Sequence, residues 1–438
     1  MIRKNITFLL VIVFLFGAYG LCGPLPKAEP EEVGMSAEKL NHITEVMQKP
    51  IEEKRMAGMV AVAARQRRIV YFEALGEQDM EKGIPMRKDS IFWIASMTKP
   101  ITSVAVMMLY EEGKFTLDEP VSNYLPVFKK MKVGVVTRDE AEDKVTITTV
   151  DVEREVTIRD LLCHTSGLGY GWGDSELDKL QQKAMGKDED VTLAEWIERL
   201  KDVPLKFQPG TKWEYGISTD VLGRLVEVAS GMTLDKFFEE RIFKPLGMKD
   251  TAFYVPEDKR DRRATIYAPA YEFEEDKGES KAEDSDERDM TLRPASFTYL
   301  DGSSKKFSGG KMFSGGGGLM STAGDYLRFC QMMLNNGELD GVRILKKDTV
   351  ELMTRNPIVD IHEKSRKVGE FGLGFGIHDG SEDGPCKGAY SWGGAAGTGF
   401  CIDPEKELVT IFMIQILPDE GITFGEEFRR LVYEAIVD

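Results

Sequence analysis

Histidine is scarce in this chain, and its scarcity limits the chemistry that the chain can perform. The 438 residues include only four histidines: His42, His164, His362 and His378. They show neither the i, i+4 helical pairing nor the Cys/His spacing that is typical of zinc sites, so we expect no metal and no cofactor. Any nucleophilic chemistry should therefore work without a histidine base.

A positive net charge and a CxxC motif are also lacking. The formal net charge of −17 argues against nucleic acid or an anionic membrane as a main partner, because either would favour a basic surface. The five cysteines, Cys22, Cys163, Cys330, Cys386 and Cys401, are irregularly spaced and form no CxxC motif, so spacing does not reveal disulfide pairing. A hydrophobic content of 42% indicates a globular chain.

Only one long apolar run is present, and it lies at the start of the chain. Residues 6–18, ITFLLVIVFLFGA, follow a short basic segment and end in the small residues of AYG at 18–20. This pattern is typical of a signal peptide cleaved after Gly20, and it predicts an exported protein, periplasmic or secreted. An uncleaved anchor and a lipid anchor at Cys22 are the alternatives. No later run is apolar enough to span a bilayer.

Hydrophobic periodicity places matching elements at the two ends of the chain. A helical pattern over 36–56 and a hairpin pattern over 58–76 come first. Several short strand patterns between 370 and 415, followed by a helical pattern over 425–437, come last. Because consecutive strands with short turns form antiparallel sheets, we expect both ends to build one sheet.

The predicted fold is therefore α/β (α+β), an antiparallel sheet flanked by helices. We expect residues 31–115 and 297–438 to form this sheet domain, with a mainly helical domain inserted at 116–296. Within the insertion, residues 131–158 alternate β-branched and polar side chains and predict a small hairpin. Residues 271–294 are highly charged and predict a solvated loop.

The stretch FWIASMTKPITSVAV, residues 92–106, contains an SxxK motif at the start of a predicted helix over 96–112. Residues three apart lie ~60° from each other around a helix, so Ser96 and Lys99 can touch. The helix N-terminus and burial both disfavour an ammonium group. We expect Lys99 to be neutral and to accept the serine proton, while the Ser96 N–H stabilises an oxyanion. SxxK also arises by chance, as an N-capping serine near an exposed lysine.

Four further motifs accompany SxxK, and their order is informative. They are IRDLLCHTSGL at 158–168, PGTKWEYGISTDVLGRLVEVASG at 209–231, SGGGGLMSTAGDYLRF at 314–329 and YSWGGAAGTGF at 390–400. Together the five motifs resemble the serine β-lactamase-like superfamily, of class C β-lactamase, family VIII esterase and penicillin-binding protein type. The resemblance covers roughly residues 31–436 and implies a β-lactamase/transpeptidase-like fold and an acyl-enzyme mechanism.

The resemblance also implies roles for individual residues. Ser96 matches the acylated nucleophile and Lys99 its partner base. Tyr215 matches the tyrosine of the family's Tyr-x-Asn motif, which serves as general base for attack and for deacylation. His164 in HTSGL carries no chemistry in this comparison, and we expect it to be a structural hydrogen-bonding residue.

Two motifs depart from the β-lactamase pattern. The third position of Tyr-x-Asn is Ile217, which removes an amide that would bind a substrate side chain. The Lys-Thr-Gly motif is replaced by Trp392, Gly393 and Gly394, a Trp-x-Gly form similar to that of family VIII esterases. We expect Ile217 and Trp392 to line an apolar site, and the N–H of Ala395 to be the second oxyanion donor.

These features favour an esterase with a small acyl group, acting on a small-molecule ester. A D-Ala-D-Ala carboxypeptidase, a D-aminopeptidase or a weak class C β-lactamase, acting on a peptide-like substrate, is the alternative if Lys311 or Lys387 replaces the missing lysine. A non-catalytic sensor with the same fold is a further alternative.

Overall fold

The computed structural model describes nine parts of the chain: 23–139, 144–186, 190–270, 290–295, 309–358, 361, 370–381, 384–418 and 421–437. The predicted signal peptide, Cys22 and most of the acidic segment lie outside these ranges. The four cysteines within them are free thiols. No helix in these ranges has both the length and the apolar character needed to cross a membrane.

The described residues form helices and strands in alternating groups. The helices are α1 (Ala37–Glu52), α2 (Thr98–Glu111), α3 (Ile158–Leu162), α4 (Glu176–Met185), α5 (Leu193–Glu198), α6 (Ser218–Ser230), α7 (Leu234–Phe238), α8 (Lys244–Leu246), α9 (Ala323–Leu334), α10 (Lys347–Met353) and α11 (Phe424–Glu434). The strands are β1 (Gly58–Arg65), β2 (Arg68–Asp79), β3 (Ile84–Pro85), β4 (Phe92–Trp93), β5 (Lys132–Asp139), β6 (Lys144–Asp151), β7 (Tyr267–Pro269), β8 (Leu292–Pro294), β9 (Met320–Ser321), β10 (Glu338–Leu339), β11 (Val342–Arg343), β12 (Glu370–Phe371), β13 (Gly376–Ile377), β14 (Tyr390–Gly394), β15 (Thr398–Asp403) and β16 (Leu408–Met413).

Both ends of the chain build the main sheet. Its eight strands run in the order β12-β13-β14-β15-β16-β1-β2-β3, and neighbouring strands are antiparallel. The two ends join where β1 pairs with β16 and Val62 lies opposite Ile411. The predicted fold class is therefore confirmed. The boundaries of the two predicted domains stay a prediction.

The sheet separates two apolar cores because alternate side chains of a strand point to opposite faces. In β1, Ala61 and Ala63 belong to the core that also contains residues of α1 and α11. Val60 and Val62 belong to the larger core, which contains residues of α2, α6 and α9. The sheet is thus covered by the two terminal helices on one face and by the rest of the protein on the other.

The predicted helix over 96–112 is shorter at its start than expected. Helix α2 begins at Thr98, and Ser96 lies in the 3-10 turn that precedes it, Ala95–Met97. The positive φ of 42° at Ala95 excludes that residue from the α-helix, and the chain continues through the 3-10 turn before α2 begins. The predicted hairpin at 131–158 is present as β5 and β6.

Replacing Ile411 by alanine should destabilise the protein strongly. Ile411 is fully buried in the larger core and lies in β16, the strand that joins the two ends of the chain. Removing its side-chain atoms leaves a cavity, so we expect the free energy of unfolding to fall by about 2–5 kcal/mol. Denaturant unfolding measures this change. Val437→Ala, at a residue that is 63% exposed, is the control and should change the free energy far less.

Candidate active site

Ser96 stands at a strained turn between a strand and a helix. Ala95 directly before it has a φ of 42°, a left-handed conformation that costs about 1–3 kcal/mol for a residue with a side chain. The turn is held by Tyr326, whose hydroxyl donates to the Met97 carbonyl at 2.9 Å. Ser96 remains half-buried while Ala95 and Met97 are buried. The strain therefore holds the serine side chain at the surface of a rigid turn.

Lys99 is almost completely buried and its amino group meets three oxygen atoms. It is 1% exposed. Its Nζ lies 3.1 Å from Ser96 Oγ, 2.8 Å from the Tyr170 hydroxyl and 2.6 Å from the Gly316 carbonyl oxygen. Among the residues described, no carboxylate forms an ion pair with it. The structure thus brings Ser96 and Lys99 together, with the amine aimed at the hydroxyl.

The glycine loop, residues 314–319, is fixed against α2. The Thr102 hydroxyl donates to the Gly315 carbonyl at 2.7 Å, and the Leu319 N–H donates to the Thr98 hydroxyl at 3.1 Å. These two bonds lie on either side of Gly316, whose carbonyl accepts from Lys99. The loop therefore serves as the third support of the lysine amine.

Asp220 fixes the glycine loop from the opposite side. It lies in the first turn of α6 and is 3% exposed. Its Oδ1 accepts from the Ser314 hydroxyl at 2.5 Å and from the Gly316 N–H at 3.1 Å. Since the Gly316 carbonyl also accepts from Lys99, Asp220 acts on the lysine through this single residue. Asp220 is therefore a positioning residue that the sequence analysis did not identify.

Two tyrosines face the Lys99 amine. Tyr170 contacts it directly through its hydroxyl, at 2.8 Å. Tyr215, which was expected from sequence, presents its ring instead, with the ring centroid 4.7 Å from Lys99 Nζ. The two rings meet edge to face, with centroids 5.4 Å apart. The site thus contains both the expected phenol and a second phenol, Tyr170, whose hydroxyl contacts the lysine amine.

Tyr170 is held in its neutral form. Burial raises its pKa well above the ordinary value, and the nearby Tyr215 and Asp220 raise it further. A neutral phenol can donate one hydrogen bond and accept another, so it can pass a proton without carrying charge. The sequence analysis missed Tyr170, although it follows the HTSGL motif by only two positions.

The loops that carry the two tyrosines are tied together. The Glu214 N–H donates to the His164 carbonyl at 2.9 Å. Lys206 then bridges the Glu214 carboxylate at 2.7 Å and the Asp178 carboxylate at 2.9 Å. Burial alone would raise the pKa of Asp178, but its hydrogen bonds with Ser175 and Lys206 hold that pKa below the ordinary value. The Asp178 carboxylate is therefore charged at neutral pH, and the bridge fixes both loops on α4.

The end of β14 lies directly against the turn that carries Ser96. A Cβ atom on Gly394 would collide with the Ile94 carbonyl, so only glycine fits there. The Thr398 hydroxyl also donates to this carbonyl, at 3.4 Å. Ala395, the first residue after the strand, is exposed in the turn that follows. The structure thus brings the predicted second oxyanion donor to the Ser96 side of the sheet.

Trp392 and Ile217 differ in their exposure to the site. Trp392 is half-buried, and its Nε1–H donates to the Tyr215 hydroxyl at 3.4 Å. Gly393 beside it is exposed. Ile217 departs from expectation, because its side chain is fully buried in the larger core. It directly precedes α6 and packs inward there, so it offers no accessible surface to a substrate.

His164 packs in an aromatic cluster instead of forming side-chain hydrogen bonds through Nδ1. Its ring lies 5.0 Å from that of Tyr215, 5.6 Å from Phe371 and 5.9 Å from Trp213. Among the described atoms, its buried Nδ1 has no hydrogen-bond partner. Burial, helped by the nearby Lys99, lowers its pKa to about 3. His164 is therefore neutral at physiological pH and supports the ring of Tyr215 by packing.

Known proteins resemble this chain over most of its length. The Beta-lactamase family profile matches residues 42–433. The chain belongs to the Beta-lactamase family. It is a serine hydrolase of β-lactamase fold, related to esterases and acyltransferases of that family. In the residues described, no cluster of three or more His, Cys, Asp or Glu side chains is arranged to hold a metal ion.

Individual relatives cover nearly the whole chain. Esterase EstB of Burkholderia gladioli is 31% identical over 376 residues, which is 82% of this chain and 86% of that protein. Protein Rv1367c of Mycobacterium tuberculosis is 34% identical over 383 residues, 84% of this chain and 88% of that protein. The crystal structure of unliganded Simvastatin Synthase from Aspergillus terreus, in its selenomethionyl form, matches with a TM-score of 0.74 and 24% identity. It covers 91% of this chain and 98% of its own.

The pKa of His164 predicts a specific pH dependence of stability. Because the folded-state pKa is about 3 and the ordinary value 6.5, the unfolded chain takes up a proton below pH 6.5 that the folded protein does not. Between pH 7 and pH 5, this difference in proton uptake should lower the free energy of unfolding by about 2 kcal/mol. His164→Asn removes this proton uptake, and asparagine tolerates the φ of 57°.

Denaturant unfolding of the wild type and His164→Asn at pH 7, 6 and 5 measures the effect. The difference in unfolding free energy between the two proteins should shrink as the pH falls. A difference that is constant across this range would contradict the assignment of a neutral buried imidazole.

Replacing Asp220 by asparagine should slow the reaction more than it weakens substrate binding. The amide can keep an acceptor oxygen at the Oδ1 position, but a neutral amide oxygen is a weaker acceptor than a carboxylate oxygen. The Ser314 hydroxyl and the Gly316 N–H are then held less firmly, and so is the Lys99 amine that Gly316 supports. Displacing a catalytic group by an ångström can lower the rate about 100-fold, so we expect kcat to fall about 10- to 100-fold with little change in KM.

Steady-state kinetics with a small ester, after circular dichroism has verified folding, gives both constants. Ser314→Ala is the matched variant, because it removes only one of the two groups that Asp220 holds, and it should be milder. An unchanged kcat in a folded Asp220→Asn protein would show that Asp220 has no positioning role.

Proposed function

We propose that the chain is a carboxylic ester hydrolase that acts through an acyl-enzyme on Ser96. One observation carries the proposal: the buried Lys99 amine lies 3.1 Å from the Ser96 hydroxyl, at the exposed side of a strained turn. This is the arrangement of a nucleophile and its base within hydrogen-bond reach.

In the first half of the proposed reaction, the Lys99 amine takes the Ser96 proton as Oγ attacks the ester carbonyl carbon. The N–H groups of Ser96 and Ala395 donate to the oxyanion, and one such donor is worth ~3 kcal/mol of transition-state stabilisation. The tetrahedral intermediate collapses, the carbon–oxygen bond to the alcohol breaks, and the leaving oxygen receives the proton. In this proposal Tyr170 relays the proton, because its hydroxyl lies 2.8 Å from the Lys99 amine, and Tyr215 assists it.

In the second half, a water molecule attacks the acyl-serine. The same base accepts the proton of the water, and the proton is returned to Ser96 Oγ as the carboxylic acid leaves. The Gly316 carbonyl and the Tyr170 hydroxyl hold the Lys99 amine in place during both steps. The cycle therefore needs no histidine and no metal ion, and its products are one acid and one alcohol.

The strand beside Ser96 favours an ester over a β-lactam or a peptide carboxylate. Trp392 occupies the position where β-lactamases have a lysine, and an indole offers an apolar wall and one N–H donor. Neither cation considered as a replacement is well placed. Lys311 pairs with Asp190 at 3.5 Å, and Lys387 is exposed before the first residue of β14, at the end opposite Gly394. The similarity to Esterase EstB supports the same choice.

The substrate and the compartment follow from the composition and the site. A net charge of −17 disfavours anionic substrates, and the aromatic walls favour an uncharged ester with a small acyl group.

Residues 1–20 have the pattern of a signal peptide, so we propose that the enzyme acts outside the cytoplasm. The proposal has three alternatives: a D-Ala-D-Ala carboxypeptidase, a weak β-lactamase and a non-catalytic sensor.

A comparison of an ester with a β-lactam tests the proposal. The purified protein should hydrolyse p-nitrophenyl acetate with a kcat/KM at least tenfold above that for nitrocefin, because neither Lys311 nor Lys387 is placed to hold a β-lactam carboxylate. Turnover of nitrocefin as efficient as that of the ester would favour a β-lactamase. Spectrophotometric assays follow both substrates.

Two serine variants of the same helix segment serve as controls. Ser96→Ala should lower ester kcat by about 1,000-fold or more, because it removes the nucleophile. Ser103→Ala, at a buried serine one further turn along α2 from Lys99, should retain activity. A fluorophosphonate probe should label the wild type and Ser103→Ala but not Ser96→Ala. An unlabelled wild type would support the sensor.

A further inference from the structure

Trp172 exposes an unusually large apolar surface beside the catalytic tyrosines. It is 73% exposed, more than any other large hydrophobic side chain in the described parts of the chain. The next, Val437, lies near the end of the chain and is 63% exposed. Single exposed apolar residues are ordinary on protein surfaces, so exposure alone assigns no role to Trp172. A role for Trp172 must be argued from the contacts that hold its loop and from the side chains beside its ring.

The segment that carries Trp172 is firmly held against α4. Gln181 Nε2 donates to the Gly169 carbonyl at 2.5 Å, and the Gly169 N–H donates back to Gln181 Oε1 at 3.2 Å. Gly171 has a φ of 74°, and a Cβ there would come within 2.7 Å of the Asp178 carbonyl. The backbone on the N-terminal side of Trp172 is therefore fixed. The exposed position of the indole is set by this ordered loop.

Trp172 continues the aromatic lining of the site outward. Its ring is stacked on that of Tyr170, with centroids 4.2 Å apart and planes within 8° of parallel. Tyr170 in turn contacts the Lys99 amine at 2.8 Å, and the Tyr215 ring lies 6.5 Å from the indole. One face of the indole is covered by Tyr170. Aromatic side chains bind other rings best by such offset stacking.

The catalytic geometry decides which half of an ester approaches this ring. When the tetrahedral intermediate collapses, the leaving oxygen must receive a proton from the group formed by Lys99, Tyr170 and Tyr215. The alcohol half of the substrate must therefore lie on the side of the two phenols. Trp172 is stacked on one of those phenols, so it lies beyond the leaving oxygen, next to whatever group the alcohol carries.

We propose that Trp172 forms a leaving-group subsite that binds a flat, apolar alcohol moiety, an aromatic ring or a fused ring system. The inference rests on the proposed ester hydrolysis and adds the substrate class. The subsite raises the affinity for esters of ring-bearing alcohols and contributes little to esters of short alkyl alcohols, which do not reach the indole.

Two acetate esters of primary alcohols provide the test, because they share the acyl group and release alcohols of similar type. We expect the wild type to have a higher kcat/KM for 2-naphthylmethyl acetate than for ethyl acetate. In Trp172→Ala the ratio of the two specificity constants should fall about tenfold, mainly through a higher KM for the naphthyl ester. Trp172→Phe, which keeps a ring, should restore most of the ratio.

A binding measurement makes the test independent of turnover. Calorimetric titration with 2-naphthalenemethanol should show weaker binding to Trp172→Ala than to the wild type, by about tenfold. Leu180→Ala is the matched control, since it removes an exposed apolar side chain from the same helix that supports the loop. It should leave both the ratio and the binding of the alcohol as in the wild type.

The outcomes separate this inference from the proposed function. If the wild type hydrolyses both esters and Trp172→Ala keeps the same ratio and the same affinity for the alcohol, the subsite does not exist while the esterase stands. If the wild type hydrolyses neither ester, the proposed function fails, and the titration still decides whether Trp172 binds ring-bearing alcohols. An equal loss on both esters would mean that Trp172 only supports Tyr170, and it would overturn the subsite.

Discussion

The amino group of Lys99 is the point on which the rest of the site depends. It is buried and meets three oxygen atoms from three separate parts of the chain: the turn before α2, the loop after α3 and the glycine loop. A buried polar group that loses a partner is destabilising, so each of these segments must stay in position. The alignment of the amine with Ser96 is thus a consequence of satisfying its other hydrogen bonds.

The supports of this amine are themselves anchored by buried polar groups on neighbouring helices. Asp220 on α6 holds the glycine loop, and the Lys206 bridge holds the loops of Tyr170 and Tyr215 on α4. These helices lie in the middle of the chain, whereas β14 and its glycines belong to the main sheet. The candidate site therefore lies where these helices meet the sheet.

The aromatic side chains give this polar centre its apolar surroundings. Trp392, Tyr215 and His164 pack as one cluster, in which burial keeps the imidazole neutral. Trp172 extends the same cluster to the surface, and we propose that an alcohol leaves on this side. The tryptophan at the position of a cationic lysine supports our proposal that the substrates are uncharged.

The sequence by itself determined the fold class, the positions of most helices and strands, and the spacing of Ser96 and Lys99, because these depend on local periodicity and on one helical turn. It also supplied the motifs that resemble the family. Only the tertiary structure decided that the hydroxyl of Tyr170, and not that of Tyr215, is hydrogen-bonded to the Lys99 amine. It also decided that Asp220 acts through Gly316 and that Ile217 points into the core. These contacts join residues that are tens to hundreds of positions apart. Side-chain direction across such separations is set by packing between elements, which no local pattern encodes.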